Sequence, residues 1–278
     1  MCLDTTQAIA RQKGKRDFPN PMTSVDPPSL WWGLIGVLCQ NKVKSCRSAT
    51  SISYFQTASP AMTVHLRTAT EADAEAIATL AADAFHPDTD TISRRLFPQH
   101  LQPANCPAGD TLRLWRLARK SIKLTDKRIN MMIAVDDDLR GQIVGFALWE
   151  VPSQNASDSE LLPSAVSSPG LDERAFDEMQ SLLSNHVRKH FGDEGTNNMW
   201  HLDYLAVDPK HQRRGIGKLL LNWGMEKAKH DGRDCYLVAT PAGKPLYESV
   251  GFRTLQELSI FDVPHYSMIL KSDHDEKL

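Results

Sequence analysis

Long apolar runs are missing from these 278 residues. The best stretch, Leu30 to Cys39, holds two glycines and has about half of the roughly 18 residues needed to cross a bilayer. It also starts too far along the chain for a usual signal peptide. Membrane contact is therefore not expected. Cysteine is scarce: Cys2, Cys39, Cys46, Cys106 and Cys235 are scattered, odd in number and form no CxxC pair. That pattern argues against a disulfide framework or a zinc site, so no metal is expected, and it suits a reducing compartment such as the cytoplasm. There is no excess of one charge either. With 32 basic and 34 acidic residues the formal net charge is -2, which gives no electrostatic footprint for nucleic acid. Internal repeats are absent. So is the GxxxxGK[ST] loop, and the dinucleotide pattern GxGxxG fails because Leu220 stands where its third glycine belongs.

Apolar residues make up 41% of the chain, enough for a buried core. Residues 1–61 differ from the rest. They are rich in Ser, Thr and Pro, contain no Glu, and hold seven basic and three acidic residues. They read as a disordered or dispensable extension, with a mitochondrial transit peptide as the alternative. Residues 62–278 read as one domain.

Within that domain the pattern alternates. Val64 to Arg67 reads as a strand. Thr70 with Asp73 resembles a capped helix start, followed by Ile77, Leu80, Ala81, Ala84 and Phe85 at helical spacing. A helical region spans about 90–123, broken near Pro98 and Pro103. Asn130 to Val135 and Gln142 to Val151 flank an Asp136-Asp137-Asp138 turn as a hairpin. A loop-helix insertion covers 152–198, with its helix at about 171–190. Then come a strand from Met199 to Val207, a helix from Gly215 to Lys229, a strand from Cys235 to Ala239, a short helix near 243–250, and two closing strands. This order implies an α/β or α+β domain with a mixed sheet.

The chemistry concentrates in one stretch. His201 to Val207 reads as a strand; Asp208 to Arg214 as a tight basic loop; Gly215-Ile216-Gly217 as a helix start. A first helical turn carries four N–H groups without internal partners, and the helix dipole adds attraction for an anion. Glycines at that point let a phosphate approach the backbone, and Arg213, Arg214 and Lys218 add positive charge. A pyrophosphate ligand accounts for the whole arrangement. Strand alternation places His201, Asp203, Leu205 and Val207 on one face, with a His and a carboxylate side by side that can pass a proton.

Gln212-Arg213-Arg214-Gly215-Ile216-Gly217 after a Leu205-Ala206-Val207 strand resembles the cofactor loop of the GNAT acetyltransferases. Pro245-Leu246-Tyr247-Glu248-Ser249-Val250-Gly251-Phe252 resembles the signature that closes their core. The motif-level resemblance runs from 200 to 252. It implies a mixed, mostly antiparallel sheet flanked by helices with splayed central strands, and acetyl-CoA as co-substrate. It also implies N-acetylation of a primary amine of a small molecule or peptide by direct attack in a ternary complex. By the same resemblance Leu205, Ala206, Val207, Gln212, Arg213, Arg214, Gly215, Ile216, Gly217, Lys218 and Thr240 hold the cofactor. Leu205 and Val207 would pair with the pantetheine arm, and Tyr247 would protonate the departing thiolate. His201 stands where arylalkylamine-type members carry the first of two histidines, with Asp203 at the place of the second. Thr240 stands where many members carry Asn. Two other readings stay open: a non-catalytic acyl-CoA sensing module, and a protein (lysine or N-terminal) acetyltransferase. Trp149 and Glu150, at the end of a strand, have two readings, as lining of the acceptor pocket or, preferred, as an edge-strand aromatic and a solvated carboxylate; Trp115, Trp200 and Phe252 read as core.

Overall fold

A computed structural model of the chain describes residues 63–104, 106, 109–153 and 166–272. The extension expected at 1–61 and most of the polar loop after Pro152 lie outside the described residues. Among those described, no helix is long and apolar enough to cross a membrane.

A seven-stranded sheet organises the domain, in the order β1-β2-β3-β4-β5-β7-β6. The strands are β1 Val64–Thr68, β2 Ile129–Asp136, β3 Gln142–Glu150, β4 Trp200–Val207, β5 Cys235–Ala239, β6 Arg253–Ile260 and β7 Val263–Leu270. Every neighbouring pair is antiparallel except β4 and β5. Helices α1 (Ala74–Ala84) and α3 (Asp110–Thr125) cover one face, and α5 (Ile216–Asp231) covers the other. Helices α2 (Thr91–Leu96) and α4 (Glu173–Phe191) pack together through Leu96, Phe97, Phe176 and Trp115. A short α6 (Lys244–Glu248) follows β5.

The element order matches the sequence reading closely, and the physical causes are visible. At the start of α1 the Asp73 carboxylate accepts the Thr70 backbone N–H at 2.8 Å and hydroxyl at 2.9 Å, and a fork from Arg67 at 2.8 Å. The region expected as one broken helix at 90–123 is two helices, α2 and α3, joined by a 3-10 turn at Gln99–Leu101. Pro98 and Pro103 fall in that joint because the ring removes a helical donor.

Two expectations are corrected. Trp149 is not on an edge: β3 lies between β2 and β4, and Trp149 is fully buried. Nor do His201, Asp203, Leu205 and Val207 share a face. Leu148 pairs with Tyr204 while Trp149 pairs with Leu202, so Asp203 is an extra residue in β4. A bulge of this kind reverses the alternation beyond it. Trp200, Leu202, Leu205 and Val207 accordingly face the α5 side. Tyr204 and Ala206 join the α1 side, where His201 and Asp203 meet Glu150 and Lys123.

Helix α5 lies close against β3 because two glycines permit it. A Cβ on Gly145 would stand 3.0 Å from Ile216 Cγ2, and one on Gly224 would stand 2.1 Å from Trp149 Cε2. Alanine has the better helix propensity by about 1 kcal/mol, so propensity alone predicts that Gly224→Ala stabilises. Overpacking against a buried indole costs about 1–3 kcal/mol, and here it must win. Thermal unfolding of Gly224→Ala is expected to show a Tm several degrees below the parent; an unchanged or higher Tm contradicts the close approach.

Candidate active site

The parallel ladder between β4 and β5 is short. Trp200, His201 and Leu202 pair with Cys235, Tyr236 and Leu237, and the pairing then stops. Beyond it the two strands diverge. Asp208 donates its N–H to the Val144 carbonyl at 3.0 Å. Alternation along an antiparallel ladder therefore turns the polar groups of Ala206 and Tyr204 toward β3 and those of Leu205 and Val207 toward the gap. Ala206 thus spends its backbone on β3 opposite Phe146 and buries its side chain. Leu205 and Val207 offer an open strand edge. The Gln212 side chain donates to the Val207 carbonyl at 3.3 Å, so that edge is partly engaged by the protein itself.

The start of α5 stands beside the gap. The N–H groups of Gly215, Ile216, Gly217 and Lys218 have no hydrogen-bond partner among the described residues; the first one engaged is Leu219, which donates to the Gly215 carbonyl at 3.0 Å. No side chain caps this end. Gly215 has φ +82° and a Cβ there would meet only open space, while Gly217 faces Leu205, Val207 and Leu246. Arg213 also has positive φ, at 62°. Arg213 and Lys218 are exposed and have no ion-pair partner among the described residues. Arg214 is placed differently: it bonds the buried Asp136 carboxylate at 2.9 Å and the His211 ring at 3.0 Å, so it braces the loop against the β2–β3 hairpin.

A cavity of about 400 Å³ runs from the gap to helices α2, α3 and α4. At the gap end it is lined by Leu205, Thr240, Leu246 and Tyr247. The Thr240 hydroxyl accepts the Gly243 N–H at 3.2 Å and so serves the turn into α6. Tyr247 is buried, its ring edge-on to Phe252, and its hydroxyl has no hydrogen-bond partner among the described residues. Burial pushes its pKa up to about 12, which keeps the phenol protonated.

His201 lines the same cavity. Its Nδ1 lies 3.1 Å from Glu150 Oε2, which leaves Nε2 without a protein partner. Glu150 also accepts from Lys123 at 2.6 Å, and Lys123 lies 3.8 Å from Asp203. Burial works to lower the His201 pKa, but the hydrogen bond and charge of Glu150, with help from Asp203, leave it raised above 6.5. Burial likewise opposes the charge on Glu150, yet His201 and Lys123 hold that carboxyl well below its usual range. Glu150 is therefore part of the site, not a solvated strand end. The clue in the sequence was weak: nothing in Trp149-Glu150 reveals that β3 and β4 bring it to His201. The core assignments of Trp115, Trp200 and Phe252 hold, although Trp115 also lines the cavity.

A mostly antiparallel sheet is thus parted at a single parallel pair, with a bare helix tip at the opening. The family model for the acetyltransferase (GNAT) domain matches residues 185–254. The chain is 27% identical over 143 residues to an acetyltransferase of Stachybotrys chartarum, covering 50% of this chain and 62% of that protein. It thus spans less than two thirds of that relative. In three dimensions it resembles a mosquito arylalkylamine N-acetyltransferase like 5b with TM-score 0.50 and 14% identity, over 74% of this chain and 99% of that one. A structure described as histone acetyltransferase HPA2 and related acetyltransferase, from Corynebacterium glutamicum, gives TM-score 0.48 and 22% identity over 76% and 97%. Over residues 185–254 the chain is thus similar to the GNAT acetyltransferase domain.

The electrostatic account of His201 has a direct check. An imidazole held by a carboxylate titrates high, and loss of that carboxylate leaves burial to pull it down. NMR titration of His201 is expected to give a midpoint above 6.5 in the parent and a lower one in Glu150→Gln. An unmoved midpoint contradicts the pairing.

Proposed function

We propose that this chain is an acetyl-CoA-dependent N-acetyltransferase that acylates the primary amine of a small molecule or peptide in a ternary complex. One observation carries the reading: the open amides of Gly215 to Lys218 and the open edge of Leu205 and Val207 border one end of a cavity whose walls include Tyr247 and His201. A diphosphate fits unpartnered amides at a helix start with Arg213 and Lys218 alongside. An extended pantetheine arm fits the unpaired edge of β4 as an added strand. The thioester then lies along the cavity near Tyr247.

The residues divide the chemistry. The ammonium of the acceptor must lose a proton before it attacks. His201 takes it at Nε2, directly or through water, while Glu150 holds the opposite nitrogen and stabilises the imidazolium. Asp203 and Lys123 complete the charge balance beside it. The amine nitrogen forms its bond to the thioester carbon, the carbon–sulfur bond breaks, and the sulfur leaves with the electron pair. The Tyr247 hydroxyl donates to that sulfur. Its raised pKa makes it a hydrogen-bond donor at neutral pH and not a competing anion.

The alternative, a sensing module without turnover, is disfavoured by His201 and Glu150: a buried ion pair on a cavity wall costs desolvation and serves no purpose in mere cofactor storage. Few and scattered cysteines support action in a reducing compartment, the cytoplasm.

Acetyl-CoA at a hundredfold excess over its Kd is expected to stabilise the folded chain by about 2.7 kcal/mol, read as a rise in Tm. Tyr247→Phe should keep that rise and lower turnover by about 10²-fold, followed by thiol release. Absence of any stabilisation at millimolar acetyl-CoA contradicts the function; equal turnover in Tyr247→Phe removes that residue from the mechanism.

A further inference from the structure

The wall of the cavity opposite Tyr247 carries more positive charge than the protein neutralises. On α3, Arg116, Arg119 and Lys120 all line it. Their spacing of three and four residues puts them on one helical face. Arg116 and Lys120 are more than nine-tenths buried, at 7% and 6% exposure. None of the three has an ion-pair partner among the described residues. Arg116 donates to the Tyr204 hydroxyl and, at 3.0 Å, to the Ser93 hydroxyl, both neutral, and its Nε has no partner at all. Arg119 rests on the ring of Trp115 at 4.8 Å. The Lys120 ammonium lies 3.7 Å from the Tyr204 ring centroid and makes no hydrogen bond.

The cavity's own carboxylates are engaged elsewhere. Asp90 accepts the Ser93 N–H at 2.7 Å as the cap of α2. Asp203 makes its one ion-pair contact with Lys123, at 3.8 Å, and acts on Arg119 and Lys120 only through space, without touching either. Lys123 differs from its three neighbours in just this respect, since Glu150 and Asp203 satisfy it. Burying a cation without an anion is unfavourable: burial pulls the pKa of the Lys120 ammonium down to about 7, and either loss of the proton or a counter-charge relieves it, whereas an arginine keeps its charge and needs the counter-charge. In a ligand cavity that counter-charge can come from the ligand.

The cavity is therefore bipolar. His201 and Asp203, with Glu150 held behind His201, suit an ammonium, and the α3 cations suit an anion. Between them the walls are aromatic and aliphatic, with Phe85, Leu112 and Met179. We infer that the acceptor amine carries a carboxylate, held by Arg116 and Lys120, so that the substrate class is free amino acids or short peptides presenting amine and carboxylate together. Arg116 supplies a planar fork matched to a carboxylate, and the apolar walls take a side chain. A doubly charged phosphate finds less support, because the third cation, Arg119, is committed to stacking on Trp115 and Phe176. The inference rests on the acetyltransferase reading and narrows it.

The test compares, at saturating acetyl-CoA, the common free amino acids with their amides, their decarboxylated amines and their aminophosphonic analogues, by thiol release. The fastest acceptor is expected to be a free amino acid, with kcat/KM falling at least tenfold for its amide and for its decarboxylated amine. Lys120→Met keeps the chain length while removing the unpaired charge. It should narrow that ratio at least threefold and leave the Tm shift caused by acetyl-CoA unchanged. As a readout independent of turnover, N-acetylated amino acids should raise the Tm of the CoA-bound protein more than their amides do. Equal or faster acetylation of the amides or decarboxylated amines overturns the inference, as does a preference for the phosphonates, or an absence of carboxylate-dependent rate and stabilisation throughout the panel. If acetyl-CoA itself fails to stabilise the chain, the acetyltransferase reading falls first; a normal acetyl-CoA shift with carboxylate-blind acetylation removes only this narrower claim.

Discussion

The structure depends on a ladder that stops. Strands β4 and β5 share three paired residues and then part. Backbone N–H and C=O groups left without partners away from water are costly, so a parted sheet persists only where something fills the opening. Here part of the filling is internal: α6 and Tyr247 on one side, the Gln212 side chain on the Val207 carbonyl on the other. The remainder, the Leu205–Val207 edge and the amides at the start of α5, stays available. Strand edge and helix tip leave backbone donors and acceptors open beside the same gap. Packing makes this possible. Gly145 and Gly224 let α5 settle against β3, which fixes the helix tip beside the gap.

A second feature divides the labour between the faces of β4. The extra residue at Asp203 reverses the alternation, so Leu205 and Val207 turn to the α5 side, proposed for the cofactor, while His201 meets Glu150 on the other, proposed for the acceptor. A single strand thereby borders both substrates. The acceptor side belongs mainly to α2, α3 and α4, which carry the polarity that would select among amines. Charge balance there is set by burial: Lys123 finds two carboxylates, while Arg116 and Lys120 find hydroxyls and aromatic rings.

Much of this was legible in the sequence. Periodicity placed every described helix and strand because each element is either half-buried with a clean stripe or bounded by turn residues, as at Asp136 to Gly141 and around Pro98. The glycine loop was legible because close phosphate approach imposes residue types on a local stretch. What escaped is non-local. Strand alternation predicted one face for His201 and Leu205, and a bulge, which has no sequence signature here, separated them. Glu150 looked like a solvated strand end because its partner lies 51 residues away. Arg214 looked like a phosphate ligand, yet Asp136, 78 residues distant, claims it. Each miss is a tertiary partner that no spacing rule contains.

The central claim is physical and local: the free amides of α5 and the free edge of β4 are where the CoA moiety sits. Amide NMR during titration with CoA reads those groups one by one. The account predicts the largest shifts at Gly215, Ile216, Gly217 and Lys218, with accompanying shifts at Leu205 and Val207 and slowed hydrogen exchange at all six. Saturable CoA binding with these amides unmoved, and the perturbed residues elsewhere on the surface, would contradict it.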